Sequence, residues 1–218
     1  MAESGEQTIT VLLVDDHAVV REGYRRLLER HGDIAVIGEA ADAAEAHALF
    51  TRLDPHIVVM DITLSGSSGI EAMRRMLADK PAARVLVFSM HEDVIFARRA
   101  LQAGAFGYVT KASAPSVLVE AIHRVALGQK YLSASIAQSL ALRDVTSDQN
   151  AADGLSAREL DVLRLLATGL SVKDIAQSMG LNSKTVANHQ SSIKQKLGAD
   201  TAIQLLRAAE KFGFGSPR

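Results

Sequence analysis

Asp15 and Asp16 stand side by side directly after the apolar run 9–14, and Asp61 follows a second apolar run at 57–60. A third run, 85–89, ends in Ser89, and a fourth, 107–110, is followed by Lys111. If these runs are strands of one parallel sheet, all five side chains leave its C-terminal edge, where open α/β sheets bind ligands. Carboxylates packed together repel unless a hard cation joins them, and Mg2+ suits an oxygen-only site because it retains waters and accepts phosphate oxygens. A carboxylate nucleophile needs its own charge masked, and a phosphoryl group bound to it needs donors for its oxygens. Asp61 as acceptor, with Mg2+, Ser89 and Lys111 around it, would fill those roles.

Each residue alone has a plainer use. Asp15 and Asp16 can cap the following helix, Ser89 can end a strand, and Lys111 can be a solvated surface charge. It is their joint placement at strand ends that favours a site. From residue 8 to 128, short β-branched runs alternate with longer segments of helical period, as a parallel α/β sheet requires. The strands are expected at 9–14, 34–38, 57–60, 85–89 and 107–110, with helices at 18–30, 43–52, 69–78, 94–103 and 115–127. Gly32 and Gly104 sit where helix C-terminal caps belong.

Residues 133–154 lose the β pattern and end in a polar run at 146–154, and the linker is expected over 131–154. Beyond it only helix signals occur, at 157–168, 172–179, 183–197 and 202–211. Ser156 with Glu159, and Ser171 with Asp174, have capping-box spacing. Gly169, Gly180 and Gly198 punctuate the helix ends. Gly180, Leu181 and Asn182 form a short turn between two helices, as in a helix-turn-helix. On the second of these helices Val186, Ile193 and Leu197 share an apolar face, and Lys184, Ala187, Asn188, Ser191 and Lys194 lie toward the other. This helix carries Lys184, Lys194 and Lys196 and no acid, as approach to phosphates demands. His189 reads as a structural histidine.

Charge separates the two halves. The chain has 218 residues and a formal net charge of −1, but residues 155–218 hold nine Lys/Arg and five Asp/Glu, leaving the remainder near −5. A basic domain behind an acidic one points to nucleic acid. With no cysteine there is no disulfide, thiolate zinc site or cysteine nucleophile. No apolar stretch approaches the roughly 20 residues of a membrane-spanning helix, and residues 1–10 are polar, so a cytoplasmic protein without a membrane partner is expected.

Residues 8–130 resemble the receiver domain of two-component response regulators, through VLLVDDH at 11–17, VVMDITLSGSSG at 58–69, VFSM at 87–90 and GYVTK at 107–111. The resemblance implies a doubly wound, flavodoxin-like α/β fold with five parallel strands. It implies Asp61 as phosphoacceptor, with Asp16, Asp61 and the Thr63 carbonyl as Mg2+ ligands and Asp15 holding the metal through water. Ser89 and Tyr108 would be the switch pair: on phosphorylation Ser89 turns to the phosphoryl group and the Tyr108 ring follows inward. Tyr108 is also compatible with ordinary core packing. Where the family usually has proline four residues after the acceptor, this chain has Ser65, followed by Gly66, Ser67 and Ser68. This departure bears on loop rigidity and phosphate lifetime.

Residues 155–218 resemble the LuxR-type, all-α four-helix output domain, through LSAREL at 155–160, GLSVKDIAQSMGL at 169–181 and SKTVANHQSSIKQKLG at 183–198. The resemblance implies a recognition helix in the major groove, with Lys184, Thr185, Ala187, Asn188, Ser191 and Lys194 as its DNA-binding residues. Asparagine can pair bidentately with adenine, whereas lysines mainly anchor phosphates. The combined pattern is that of the NarL/FixJ-like regulators. It implies a sensor histidine kinase and promoter DNA as partners, a homodimer when phosphorylated, and no enzymatic activity beyond assisting its own phosphorylation and dephosphorylation. A haloacid-dehalogenase-like phosphohydrolase also uses a strand-end Asp with Mg2+, but carries a second Asp where this chain has Thr63, removing the usual general acid. A phosphatase assay separates the two. LuxR-type quorum sensors share the output domain, but the acidic pattern at the front argues against their lactone-binding half. A third reading, a regulator that binds DNA regardless of phosphorylation, is tested by salt-dependent binding with and without a phosphodonor.

Overall fold

The computed structural model describes residues 8–64, 67–144, 154–212 and 214. The chain divides into two compact units, Met1–Val145 and Thr146–Arg218. Ser65, Gly66 and nearly all of the polar run 146–154 lie outside the described residues.

In the first unit β1 (Ile9–Val14), β2 (Ile34–Ala40), β3 (Ile57–Met60), β6 (Val85–Ser89), β7 (Gly107–Thr110) and β8 (Tyr131–Leu132) form one sheet in the order β2-β1-β3-β6-β7-β8. Every pairing in it is parallel. The two-residue strands β4 (Thr63–Leu64) and β5 (Ser67–Ser68) pair antiparallel beside it. The helices α1 (Ala18–Glu29), α2 (Ala43–Leu53), α3 (Gly69–Asp79), α4 (Val94–Gln102) and α5 (Pro115–Ala126) make the crossovers. β1, β3 and β6 are almost wholly apolar and buried, as strands covered on both faces must be. The chain goes from β1 outward to β2 and then returns to β3 on the other side. The strand order therefore reverses between β1 and β3, the position where open α/β sheets leave a crevice at their carboxyl ends.

Three local details differ from expectation. The second strand runs two residues further, to Ala40. Gly32 does not adopt a positive φ, and α1 ends at Arg30 in ordinary right-handed geometry, whereas Gly104 has φ +103° as a C-terminal cap requires. The stretch expected as linker is folded from its start: β8 pairs with β7, and α6 (Ala134–Asp144) packs against α4 and β7. Ile136 has no exposed surface, which anchors α6 by its apolar side chain.

The second unit is the expected set of four helices, α7 (Ala157–Ala167), α8 (Val172–Ser178), α9 (Ser183–Leu197) and α10 (Ala202–Lys211). α9 packs on α7 and α8, and α10 on α7, around Leu160, Leu163, Ile175, Val186, Ile193 and Leu205. Ser156 and Glu159 form a complete capping box. Ser171 accepts from the Asp174 amide, but the Asp174 carboxylate accepts from the Ser171 hydroxyl at 2.6 Å, so α8 shows half a box. The aspartate side chain is one methylene shorter than that of glutamate. Thr201 and Gln204 close a further box on α10.

Candidate functional site

The sheet delivers its side chains to one edge because the ladder continues beyond the strands. The Asp61 amide donates to the Val14 carbonyl (2.9 Å), and the Lys111 amide to the Ser89 carbonyl (2.8 Å). Asp15 and Asp61 are buried, and the Lys111 side chain is only 6% exposed. The Lys111 ammonium bridges the two acids, bonding one Asp15 oxygen and Asp61 Oδ2, the latter at 2.5 Å. Its Nζ also lies 5.8 Å from the centroid of the Phe88 ring. Lys111 is thus no solvated surface charge. The N-cap of α1 is His17, whose side chain makes no capping bond, while Asp15 Oδ1 accepts from the His17 amide at 2.9 Å.

Burial pushes the Asp61 carboxyl above its ordinary value, against the opposing pull of Lys111 and of the Thr63 amide, which donates to Asp61 Oδ1 at 3.0 Å. For Lys111, burial disfavours the charge, but Asp61 and Asp15 outweigh it and its pKa is raised. Gly69 sets the position of this carboxylate from behind. A Cβ there would stand 2.0 Å from the Asp61 carbonyl oxygen, so only glycine lets α3 begin against the strand end that carries Asp61.

The oxygen donors for a cation come from the carboxylates, with one imidazole beside them. Ligand atoms of Asp15, Asp16 and His17 lie within 4.8 Å of one another, while Asp61 joins Asp15 through Lys111. His17 adds an imidazole to the mouth of the site, with Nδ1 2.8 Å from Asp16 Oδ1 and 3.2 Å from Asp15 Oδ1. The carboxylates fit a hard divalent cation.

Ser89 is fully buried, and its hydroxyl oxygen accepts from the His91 amide at 3.3 Å, which does not use its own O–H donor. Tyr108 is also fully buried, with its phenol donating to the His91 carbonyl at 2.9 Å. The inward position assigned to the phosphorylated state is therefore already occupied by the ring in this structure. His91 itself was invisible as a site residue in the sequence, since its partner Thr63 is 28 residues away.

On α9, Lys184, Ala187, Asn188 and Ser191 are exposed, and their three- and four-residue spacing puts them on one stripe, which exposed Gln195 prolongs. Thr185 and Lys194 are set differently. The Thr185 hydroxyl and amide both donate to Asn182 Oδ1, at 3.0 and 2.8 Å, making Thr185 part of the helix cap, and Lys194 is half-buried. Lys196 is not a free phosphate anchor either, because it bonds both oxygens of buried Glu159, at 2.9 and 2.7 Å. His189 is half-buried.

Residues 11–123 match the family described as response regulator receiver domain, and residues 153–209 the luxR family of bacterial regulatory proteins. The response regulator GacA of Pseudomonas aeruginosa is 36% identical over 208 residues, covering 94% of this chain and 97% of that one. The response regulator UvrY of Escherichia coli K12 is 33% identical over 208 residues, with 94% and 95% covered. Among solved structures, a LuxR-family two-component response regulator from Aurantimonas sp. is 51% identical over 63% of this chain and 99% of its own, with a TM-score of 0.62. RcsB of Salmonella enterica serovar Typhimurium, bound to promoter rprA with the phosphomimetic BeF3−, is 26% identical over 93% of this chain and 98% of its own, also with a TM-score of 0.62. The acid and lysine cluster at one sheet edge, followed by the helix-turn-helix, therefore belongs to a NarL/FixJ-like response regulator of the two-component systems, with a receiver domain and a LuxR-type DNA-binding domain.

Proposed function

We propose that Asp61 accepts a phosphoryl group from a sensor histidine kinase, and that this modification controls how the C-terminal domain binds promoter DNA. The chain is a transcription regulator by family. The observation that carries the residue assignment is the Lys111 ammonium held between Asp61 and Asp15 at the carboxyl end of the sheet. A buried lysine beside a buried carboxylate supplies a donor for phosphoryl oxygens where negative charge gathers. Ser89, at the end of the neighbouring strand, supplies a hydroxyl.

Asp16 and Asp61, with the Thr63 carbonyl, are the groups that would hold Mg2+, and Asp15 would act through water. Bound there, the ion neutralises carboxylate and phosphate charge. Asp61 provides the accepting oxygen, and the Thr63 amide orients its carboxylate. Thr63 stands where a phosphohydrolase would need its general acid, so the phosphoryl group is retained as a signal rather than turned over, and the chain is not an enzyme in its own right.

Lys184, Ala187, Asn188 and Ser191 form the surface that reads base edges, and phosphorylation favours a dimer that sets two such helices on paired half-sites. No helix among the described residues is long and apolar enough to cross a membrane, and a cytoplasmic location fits a protein that meets promoter DNA. The test is binding of the full chain and of Asp61→Asn to a DNA library, with and without Mg2+ and acetyl phosphate. Tighter, sequence-selective binding on adding the phosphodonor, lost in Asp61→Asn, is the expected result. Selective binding indifferent to Asp61 would overturn the switch, and absence of binding under all conditions would overturn the DNA-reading surface.

A further inference from the structure

We infer that His91 is a positioning residue that ties the phosphoacceptor loop to Tyr108, through the hydrogen bond between its ring and the Thr63 hydroxyl. The inference deepens, and for its signalling role rests on, the reading of Asp61 as phosphoacceptor. Between Ser89 and α4, Met90 and Glu92 are exposed and Asp93 is half-buried, so His91 is the buried anchor of the loop. α4 starts at this loop without a side-chain cap, because Asp93 makes no such bond.

The His91 ring is fixed in two directions. Its Nε2 shares a hydrogen bond with Thr63 Oγ1 at 2.9 Å, and its face stacks on Phe96 of α4, with centroids 4.0 Å apart and planes 11° from parallel. Holding the ring holds the main chain of the same residue. Its carbonyl accepts the Tyr108 phenol at 2.9 Å and its amide donates to Ser89 Oγ at 3.3 Å. Thr63 in turn donates its amide to Asp61 Oδ1 at 3.0 Å.

An unbroken run of hydrogen bonds thus leads from Asp61 through Thr63 and His91 to Tyr108. A buried phenol needs a partner, and here that partner is a loop carbonyl set in place by a side chain rather than by regular secondary structure. Displacement of the Thr63 segment by chemistry at Asp61 would move the carbonyl that retains Tyr108. The link is local and discrete, and it runs beside the bond from the His91 amide to Ser89 Oγ.

The chain contains three tyrosines, so fluorotyrosine labelling of the full-length protein gives three 19F resonances, and Tyr108→Phe identifies the one that matters. The variants are Thr63→Val and His91→Phe, which remove the ring-to-hydroxyl bond from opposite ends, and Thr63→Ser, which keeps the hydroxyl. Expected are a shift or broadening of the Tyr108 resonance, and a larger H2O/D2O isotope shift, in Thr63→Val and in His91→Phe. The Tyr24 and Tyr131 resonances should stay in place, Thr63→Ser should match the wild type, and the double variant should move no further than either single one. With Mg2+ and BeF3−, the wild-type Tyr108 resonance should move, and by less than half as much in the two bond-breaking variants.

A Tyr108 resonance unchanged in both variants, or single effects that add fully in the double variant, overturns the inference. If BeF3− moves nothing in the wild type while the variants still release Tyr108, the positioning role stands and the phosphoacceptor reading falls. Should one variant fail to fold, the Tyr24 resonance will also collapse, and the variant at the other end of the same bond decides.

Discussion

The main-chain amide of Ser133 donates to the carbonyl of Tyr108 at 3.0 Å, so the segment that leaves the receiver domain is bonded to the strand that carries the buried tyrosine. One residue earlier the contact is closer still. A Cβ on Gly107 would stand 2.6 Å from the Tyr131 carbonyl oxygen, a backbone atom that cannot swing aside. Gly107→Ala is therefore expected to lift β8 from β7, and the Tyr131 and Ser133 amides to exchange hydrogen at least about tenfold faster, corresponding to about 1.4 kcal/mol of local opening. Ile136→Ala should loosen α6 by a separate route, since deleting a fully buried side chain costs about 2–5 kcal/mol. Unchanged exchange across 131–144 in both variants would show that these contacts do not hold the segment.

Gly69 makes an equally close approach at Asp61. The Cβ of Gly69→Ala would meet the Asp61 carbonyl oxygen at 2.0 Å and the Ile62 Cα at 2.8 Å, so strand end and helix start must separate. A misplacement of about 1 Å in a positioned group can cost about 100-fold in rate. Phosphorylation of the variant by acetyl phosphate, followed by intact-protein mass, should fall by at least that order. A rate within threefold of wild type would mean that the close approach is not needed.

The buried carboxylate and the buried ammonium make opposite demands on stability. Since burial raises the Asp61 pKa, the folded chain binds its proton more readily than the unfolded chain, and that contribution is lost as pH rises from the ordinary value of 3.8 through the raised one. At pH 7 the charge is therefore a net cost to folding, and Asp61→Asn should be more stable than wild type in urea without Mg2+. Lys111→Met removes the cation that two buried carboxylates share, and breaking such a pair typically costs about 3–5 kcal/mol. Equal or reversed midpoints for these variants would contradict this electrostatic account.

The main strands and helices of both domains were legible because their period and their bounding residues are local. Asp15, Asp16, Asp61, Ser89 and Lys111 could be gathered at one edge because a parallel sheet puts successive strand ends together. β8 was not legible, since Tyr131 and Leu132 are too short a run to show alternation. α6 has only Ile136 wholly buried among its described side chains. The Thr201 and Gln204 capping box was present in the residue spacing and could have been read from it. The ion pair of Lys196, which the sequence reading counted only among the lysines of an acid-free helix, was not legible because its partner, Glu159, is 37 residues away. Long-range pairing of this kind, like that of Thr63 with His91, leaves no local pattern.

The pairing of Glu159 with Lys196 has a consequence for DNA binding and for acid stability. Burial alone would raise the Glu159 carboxyl, but the Lys196 ammonium, the Ser156 amide and the Ser192 hydroxyl outweigh it and lower the pKa from 4.5 to about 2. A carboxyl depressed in the folded state contributes stability that is fully present above 4.5 and is lost as pH falls toward 2. The contribution is at most about 3 kcal/mol, and less in practice because the Lys196 side chain is 40% exposed. Glu159→Gln should thus destabilise the C-terminal domain at pH 7 and flatten its acid unfolding between pH 4.5 and 2, as followed by helical circular dichroism. Because its charge is already engaged in an ion pair, Lys196→Ala should change the salt dependence of DNA binding less than Lys184→Ala, which removes an exposed ammonium from the recognition helix. A Lys196→Ala slope reduced by about one unit, with Lys184→Ala unchanged, would place Lys196 on the DNA and reverse the roles of the two lysines.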